Sequence, residues 1–195
     1  MDPKILGELE IPGFSEFMHP IKADNSMLLT VGKDTDEDGR VTGFLISIFD
    51  STIPNDPKLV DRLVMNSTSS SSSWDERAFR YIQVGEVGRL IIPLYTYSWN
   101  DGNFGSADTF DGFTVFGVDL NRTEMITREI DINHWEDYKT EKGCNCYSEG
   151  LPERSLVFDG NLMTMKGSSV VSTDLVSQET QWSLSLPDDE SCCNY

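Results

Sequence analysis

The sequence predicts an all-β chain in which one four-stranded antiparallel sheet is used three times, and three observations predict it. The first lies in residues 154–186, RSLVFDGNLMTMKGSSVVSTDLVSQETQWSLSL, where the short runs RSLVF, NLMTM, SVVST and TQWSLSL are set apart by turn residues. Asp159-Gly160 between two apolar runs is a strong hairpin signal, because the turn needs positive φ at residues that tolerate it. The second is an internal repeat. Asp2-Pro3-Lys4-Ile5-Leu6 recurs as Asp56-Pro57-Lys58-Leu59-Val60, a spacing of roughly 54 residues, near the longer end of propeller repeat lengths. The third is that three comparable strands end in Asp: Ile48-Phe49-Asp50, Gly117-Val118-Asp119 and Ser172-Thr173-Asp174. An Asp carboxylate suits a turn there, since it accepts a bond from the backbone N–H two residues on. Four antiparallel strands in about thirty residues make one propeller blade. The expected fold is therefore a β-propeller fragment: about three four-stranded antiparallel blades plus one N-terminal strand of a preceding blade. A β-sandwich would share the short strands and glycine turns; the repeat favours the propeller.

Taken in order, residues 1–12 read as the outer strand of a preceding blade, with Ile5, Gly7 and Leu9 on one face. Residues 13–66 form a blade with strands FMHPI, SMLLTVG, VTGFLISIFD and KLVDRLVM, and KDTDEDGR joins the second to the third. Residues 67–76 read as a Ser-rich surface connection, low in complexity and without an apolar face. Residues 77–133 form the next blade, from AFRYIQV, GRLIIPLYTYS, FDGFTVFGVDL and EMITREIDI, with the insertion WNDGNFGSADT between its second and third strands. Pro93, inside the second run, is expected at an edge, an end or a bulge. Residues 134–152 are a Cys-containing connection, 153–187 the third blade and 188–195 a tail.

Composition narrows the partners. The chain has 195 residues, with Asp+Glu 33 against Lys+Arg 15 and a formal net charge of -18. That field repels phosphate backbones and anionic lipid, so nucleic acid is not expected as a partner. No window carries the apolar run of a membrane span, and Met1-Asp2-Pro3-Lys4 lacks the basic start and apolar run of a signal peptide. Asn66-Ser67-Thr68 and Asn121-Arg122-Thr123 are glycosylation sequons. With Cys144, Cys146, Cys192 and Cys193 they point toward an extracellular setting. Two disulfides tying a loop to the C-terminus, free thiols and a four-thiolate metal site all stay open, although Cys-x-Cys beside Cys-Cys is not the usual zinc spacing.

Several of these stretches resemble a known family. ILGELEIPGFSEFMHPI, LLTVGKDTDEDGRVTGFLISIFD, NDPKLVDRLVM, SSSSSWDERAFRYIQVGEVGRLIIPLY, FDGFTVFGVDL and RSLVFDGNLMTMKGSSVVSTDL are similar, in that order, to secreted β-propeller domain proteins, a mostly prokaryotic family distantly akin to WD-type propellers. The resemblance implies a ring of blades and a secreted or cell-surface location. It implies no catalytic activity that transfers to particular residues. The poly-Ser run, the aromatic insertion near Trp99 and the four cysteines depart from it. Family members are longer, and three blades do not close a ring. The chain is thus expected to be part of a larger propeller, or to close by self-association.

Two stretches could carry binding chemistry. In Asp34-Thr35-Asp36-Glu37-Asp38-Gly39-Arg40, carboxylates at alternate places followed by Gly suit a loop wrapped around Ca²⁺, with Asp34, Asp36, Asp38 and the Arg40 carbonyl as ligands. The twelfth place is Leu45 rather than Glu, so this is no EF-hand; the bland reading is a solvated acidic hairpin. In the insertion, Tyr97, Trp99, Asn100 and Phe104 suit stacking and hydrogen bonding to a sugar or peptide, against the alternative that they pack the loop on its own blade. His19, before Pro20, reads as structural. His134 is a weak candidate for a metal site with Cys144 and Cys146. The serines at 69–73 lack a nucleophile-elbow context. The expected function is a non-catalytic propeller segment binding protein or glycan, with calcium stabilisation at the acidic loop left open. The alternative is part of a propeller enzyme, a polysaccharide hydrolase or lyase, with its site at the ring centre.

Overall fold

Each predicted strand of the three blades is present, and the sheets they form stack on one another. The computed structural model describes residues 4–96, 110–134 and 152–186. The first sheet holds β1 (Phe14–Pro20), β2 (Met27–Thr35), β3 (Val41–Asp50) and β4 (Lys58–Asn66), in that order and antiparallel. The second holds β5 (Thr68–Ser69), β6 (Arg80–Val84), β7 (Val87–Thr96), β8 (Phe110–Val118) and β9 (Ile126–Asn133). The third holds β10 (Glu153–Phe158), β11 (Asn161–Lys166), β12 (Ser169–Asp174) and β13 (Thr180–Ser185), again in chain order.

The turn chemistry behaves as its residues dictate. Asp159 and Gly160 take φ of 48 and 77 between β10 and β11, the left-handed conformation that a tight hairpin demands. Asp50, Asp119 and Asp174 each accept the N–H two residues on, from Thr52, Asn121 and Val176 at 2.8, 3.0 and 2.8 Å. Gly43 and Gly112 deepen the repeat. Each stands seven residues before its capping Asp, counting from 43 to 50 and from 112 to 119, and each pairs with the Asn that closes the next strand, Asn66 or Asn133. A methyl group at either glycine would strike the carbonyl of Met65 or Ile132.

Burial follows from stacking. Leu90, Ile92 and Leu94 of β7 pack with Leu29, Val31, Phe44 and Ile46 of the first sheet. Ile91, on the opposite face, packs with Phe113, Val115, Leu162 and Val171 toward the third sheet. The middle sheet is covered on both faces, so its central strands β7 and β8 are buried along most of their length, while the outer strand β9 alternates. The outer strand of every sheet carries a bulge, at Ile48/Phe49, Val115/Phe116 and Ser172/Thr173 of the partner strand. A bulge increases local twist.

Two expectations are corrected and one is refined. Residues 4–12 form no strand; an outer strand needs a neighbouring ladder, and none of the described strands pairs with these residues. The Ser-rich segment is only in part a surface connection. Thr68-Ser69 pairs with Thr96 and Tyr95 of β7, and Ser70 and Ser72 are buried. Pro93 lies within the span of β7, opposite Phe113 of β8, but at a locally open edge, as expected. Its position is tolerated because the inner edge of β7 is split: β5 pairs at one end, β6 at the other, and neither reaches Pro93. Proline has no N–H to give a neighbouring strand. The Ser70 hydroxyl donates instead to the Pro93 carbonyl.

Candidate functional site

The first strands of the three sheets approach one another, and the Ser-rich turn sits among them. Ser70 caps a short 3-10 turn over Ser71–Ser73, accepting the Ser72 N–H; Asp75 caps the next, over Glu76–Ala78, accepting the Arg77 N–H. Short hydroxyl and carboxylate side chains favour such turns because they satisfy amides that the turn leaves open. From these turns the inner edges are tied together. Arg154 of β10 donates to Asp75 at 2.7 Å, and Arg80 of β6 donates to the Ser155 carbonyl at 2.9 Å. Partial desolvation raises the Asp75 carboxyl, but bonds from Arg154 and Arg77 prevail and hold it below the usual range.

Deeper between the second and third sheets lies a charged junction. Lys166 of β11 pairs with Asp111 of β8 at 2.5 Å and also with Glu153 of β10, whose second oxygen accepts the Ser71 hydroxyl. Desolvation raises the Asp111 carboxyl; Lys166 opposes this and Glu153 adds to it, and the net direction is up. Desolvation pulls the Lys166 ammonium down, but Glu153 and Asp111 outweigh it and raise its pKa. Beside the junction His134 is fully buried, with Nδ1 3.0 Å from the Ser169 hydroxyl and Nε2 2.9 Å from the Thr164 hydroxyl. A lysine kept protonated does not take a proton from Ser71, and Glu153 is already occupied by that lysine. The junction therefore fastens blades.

The accessible part of this region is the turn itself. Trp74 is 72% exposed and borders a cleft of about 490 Å³ with Glu16, Phe17, Asp75 and Arg77. An exposed indole beside charged donors and acceptors offers a stacking face with hydrogen-bonding groups at its rim. The sequence signal for this site was Asp75-Glu76-Arg77 after Trp74, a capped turn whose register was hidden by the serines before it.

The sequence-predicted sites fare differently. In the acidic loop the Asp34 carboxylate pairs with Arg62 of β4 and accepts the Thr42 hydroxyl at 2.7 Å. Asp36 accepts the N–H groups of Asp38 and Arg40 at 3.0 and 2.8 Å, and Asp38 pairs with the Arg40 guanidinium at 3.2 Å. The Arg40 carbonyl accepts the Asp36 N–H. The loop is held by its own donors, and among the described residues no cluster of three His, Cys, Asp or Glu side chains converges as a metal site. Asn66 and Asn121 are both exposed, at the end of β4 and in the turn after β8. Tyr97, Trp99, Asn100, Phe104, Cys144, Cys146, Cys192 and Cys193 lie outside the described residues.

Comparison with known proteins agrees with this architecture. A family model described as a beta propeller domain matches residues 1–177. An uncharacterised protein of Methanocaldococcus jannaschii is 32% identical over 125 residues, 64% of this chain and 16% of the relative. Another, from Archaeoglobus fulgidus, is 33% identical over 105 residues, 52% of this chain and 15% of the relative. The chain thus corresponds to a small part of the length of the curated relatives it matches. No solved structure matches it.

Proposed function

Since the chain belongs to the β-propeller domain family, we propose that it is an arc of a larger, secreted or cell-surface ring whose inner edge is a non-catalytic scaffold for a protein or glycan. The binding role rests on Trp74, whose ring is left in solvent at the edge where the three sheets converge. Large exposed aromatics rimmed by polar groups mark interaction sites. The larger ring is supported by the far face of the third sheet. Leu156, Met163, Ser172 and Trp182 stand opposite one another across its strands, as do Val170 and Leu184, so they share one face. Leu156, Phe158, Trp182 and Leu184 are 52, 70, 47 and 54% exposed there. The equivalent faces inside the stack are buried.

A second reading, cleavage of a polysaccharide by hydrolysis or elimination, draws on Asp111, whose burial favours the protonated form that an acid catalyst uses. One experiment separates the two. Immobilised neutral and acidic polysaccharides are offered to the protein and to Trp74→Ala, with retention and product release both measured. Retention without release, lost in Trp74→Ala, supports the scaffold. Release of unsaturated or reducing ends supports the enzyme, and neither retention nor release removes the glycan half of the proposal.

A further inference from the structure

A different feature runs along the seam between the first two sheets. Phe17 of β1 stacks on Phe79, with ring centroids 4.7 Å apart. His19 follows, 5.6 Å from Phe79 and 5.4 Å from Tyr81 of β6. Alternate residues of β1 and of the extended run that enters β6 thus build an aromatic ladder, which the period of two along extended chain makes possible. The ladder ends in a cleft of about 520 Å³, whose rim carries His19, Tyr81, Gln83, Lys22 and Glu86, with Leu120 among its apolar residues. That volume lies in the range of small-molecule sites.

Two observations show that the cleft is built and not a chance gap. Gly88 in β7 leaves the space that Tyr81 occupies, since a methyl there would collide with the Tyr81 hydroxyl. That hydroxyl is oriented by donating to Gln83 Oε1 at 3.0 Å, and Gln83 is in turn fixed by donating to the Gly85 carbonyl at 3.2 Å. His19, by contrast, has both ring nitrogens without a protein hydrogen bond among the described residues, although its ring is half-buried. A polar ring held by stacking alone at a cleft mouth has its hydrogen-bonding capacity to spare.

The rim chemistry selects among ligands. A net charge of -18 disfavours an anion. Lys22 and Glu86 at the rim offset each other, so neither a cation nor an anion is called for. A neutral imidazole, an amide and a phenol each offer both donor and acceptor capacity. The tilted His19 and Tyr81 rings offer an apolar face beside these groups. We infer that this cleft binds a neutral sugar residue, which stacks on the His19–Tyr81 end of the ladder and bonds to His19, Tyr81 and Gln83.

The test is calorimetric titration of the protein with neutral monosaccharides and their disaccharides, beside charged counterparts, glucuronate and glucosamine, as controls. At least one neutral sugar is expected to bind, and no charged counterpart more tightly. Tyr81→Phe, which keeps the ring, should weaken binding severalfold; Tyr81→Ala and Gly88→Ala, which remove or displace the ring, should weaken it at least tenfold. His19→Gln, which keeps a donor and an acceptor, should bind better than His19→Ala. Circular dichroism melts confirm that each variant is folded. The inference is overturned if no neutral sugar binds, if a charged counterpart binds more tightly, or if folded Tyr81→Phe and His19→Ala both bind as wild type does. Because Trp74 lies outside this cleft, failure at the cleft leaves the inner-edge scaffold standing, and the Trp74→Ala result does not bear on it.

Discussion

The Asp61 carboxylate of the first sheet accepts the Ile126 backbone N–H of the second, at 2.8 Å. The bond is set by a bulge. Ile48 pairs with Asp61 and Phe49 with Leu59, leaving Val60 as the extra residue beside Asp61. Ile126 is buried, so its N–H has little access to water. Losing the partner of a buried donor costs about 1–3 kcal/mol. Asp61→Ala is expected to lower the unfolding free energy measured by urea denaturation by an amount in that range, and Asp61→Asn, which keeps an acceptor, by less. Equal effects from the two substitutions would show that the inter-sheet bond is not what holds the outer edges together.

How much of this was readable in sequence depends on the span of the interaction concerned. The capping role of Asp50, Asp119 and Asp174 acts over two residues, so the local pattern carries it. The Asp159-Gly160 turn is local in the same way. Arg62 is 28 residues from Asp34, and nothing near the acidic loop announces that its first carboxylate is engaged elsewhere. The burial of Ser70 and Ser72 is invisible for another reason. Hydroxyl side chains carry no apolar periodicity, and their chain of bonds is closed far from its own stretch: Ser72 meets the Ser70 hydroxyl, which reaches the Pro93 carbonyl where neither β5 nor β6 pairs with β7. For the site, the sequence does not single out Trp74, one aromatic beside a polar run; its exposure at the converging edges comes from tertiary stacking.

The charged junction makes stability depend on pH at both ends of the scale. The Lys166 pKa is raised above its ordinary 10.5 on folding, so its contribution is complete below 10.5 and is lost as pH rises through the folded value. The Asp111 pKa is raised above 3.8, so folding favours its protonated form; that preference is fully present below 3.8 and is lost as pH rises through its folded value. Asp111→Asn should therefore be tolerated near neutrality, since Glu153 still pairs with Lys166. Lys166→Met leaves Glu153 and Asp111, both largely shielded, without their cation and should cost about 3 kcal/mol. Chemical denaturation of both variants at pH 7 checks the contrast. A larger loss in Asp111→Asn than in Lys166→Met would make the aspartate, and not the lysine, the group that the junction depends on.

Calcium at the acidic loop has to compete with donors already in place. To bind Asp34 and Asp38 together it must draw them from Arg62 and Arg40. Wild type is expected to show no rise in melting temperature with millimolar calcium. Arg62→Leu, which releases Asp34, should gain a calcium-dependent rise. A rise in wild type that disappears in Asp36→Ala would instead restore the loop as a calcium site.

The open face of the third sheet predicts self-association of the isolated chain. Leu156, Trp182 and Leu184 expose apolar surface that a sheet would cover, and an uncovered patch of that kind drives association. Light scattering should show mass rising with concentration for wild type. Leu156→Glu combined with Trp182→Glu should hold the chain as a monomer without lowering its melting temperature. Monomeric wild type at every concentration would mean that this face is satisfied as it stands.

His19 gives the seam between the first two sheets its own acid response. Burial disfavours the charged imidazole and lowers its pKa from 6.5. The charged groups at the same cleft are Lys22 after β1 and Glu86 between β6 and β7, while β8 and the turn after it present Val118 and Leu120. The unfolded chain takes up the proton first as pH falls, so the His19 contribution is complete above 6.5. It is lost as pH drops through 6.5 toward the lower folded value. In the folded chain, protonation also removes the ring's acceptor nitrogen. His19→Phe should keep the stacking with Phe79 and Tyr81 and flatten the stability profile between about pH 7 and 5. Two-dimensional NMR of the imidazole gives the folded pKa directly. A value above 6.5 would show the ring to be stabilised as a cation by Glu86 or the neighbouring ring faces, and the acid response would then have the opposite sign.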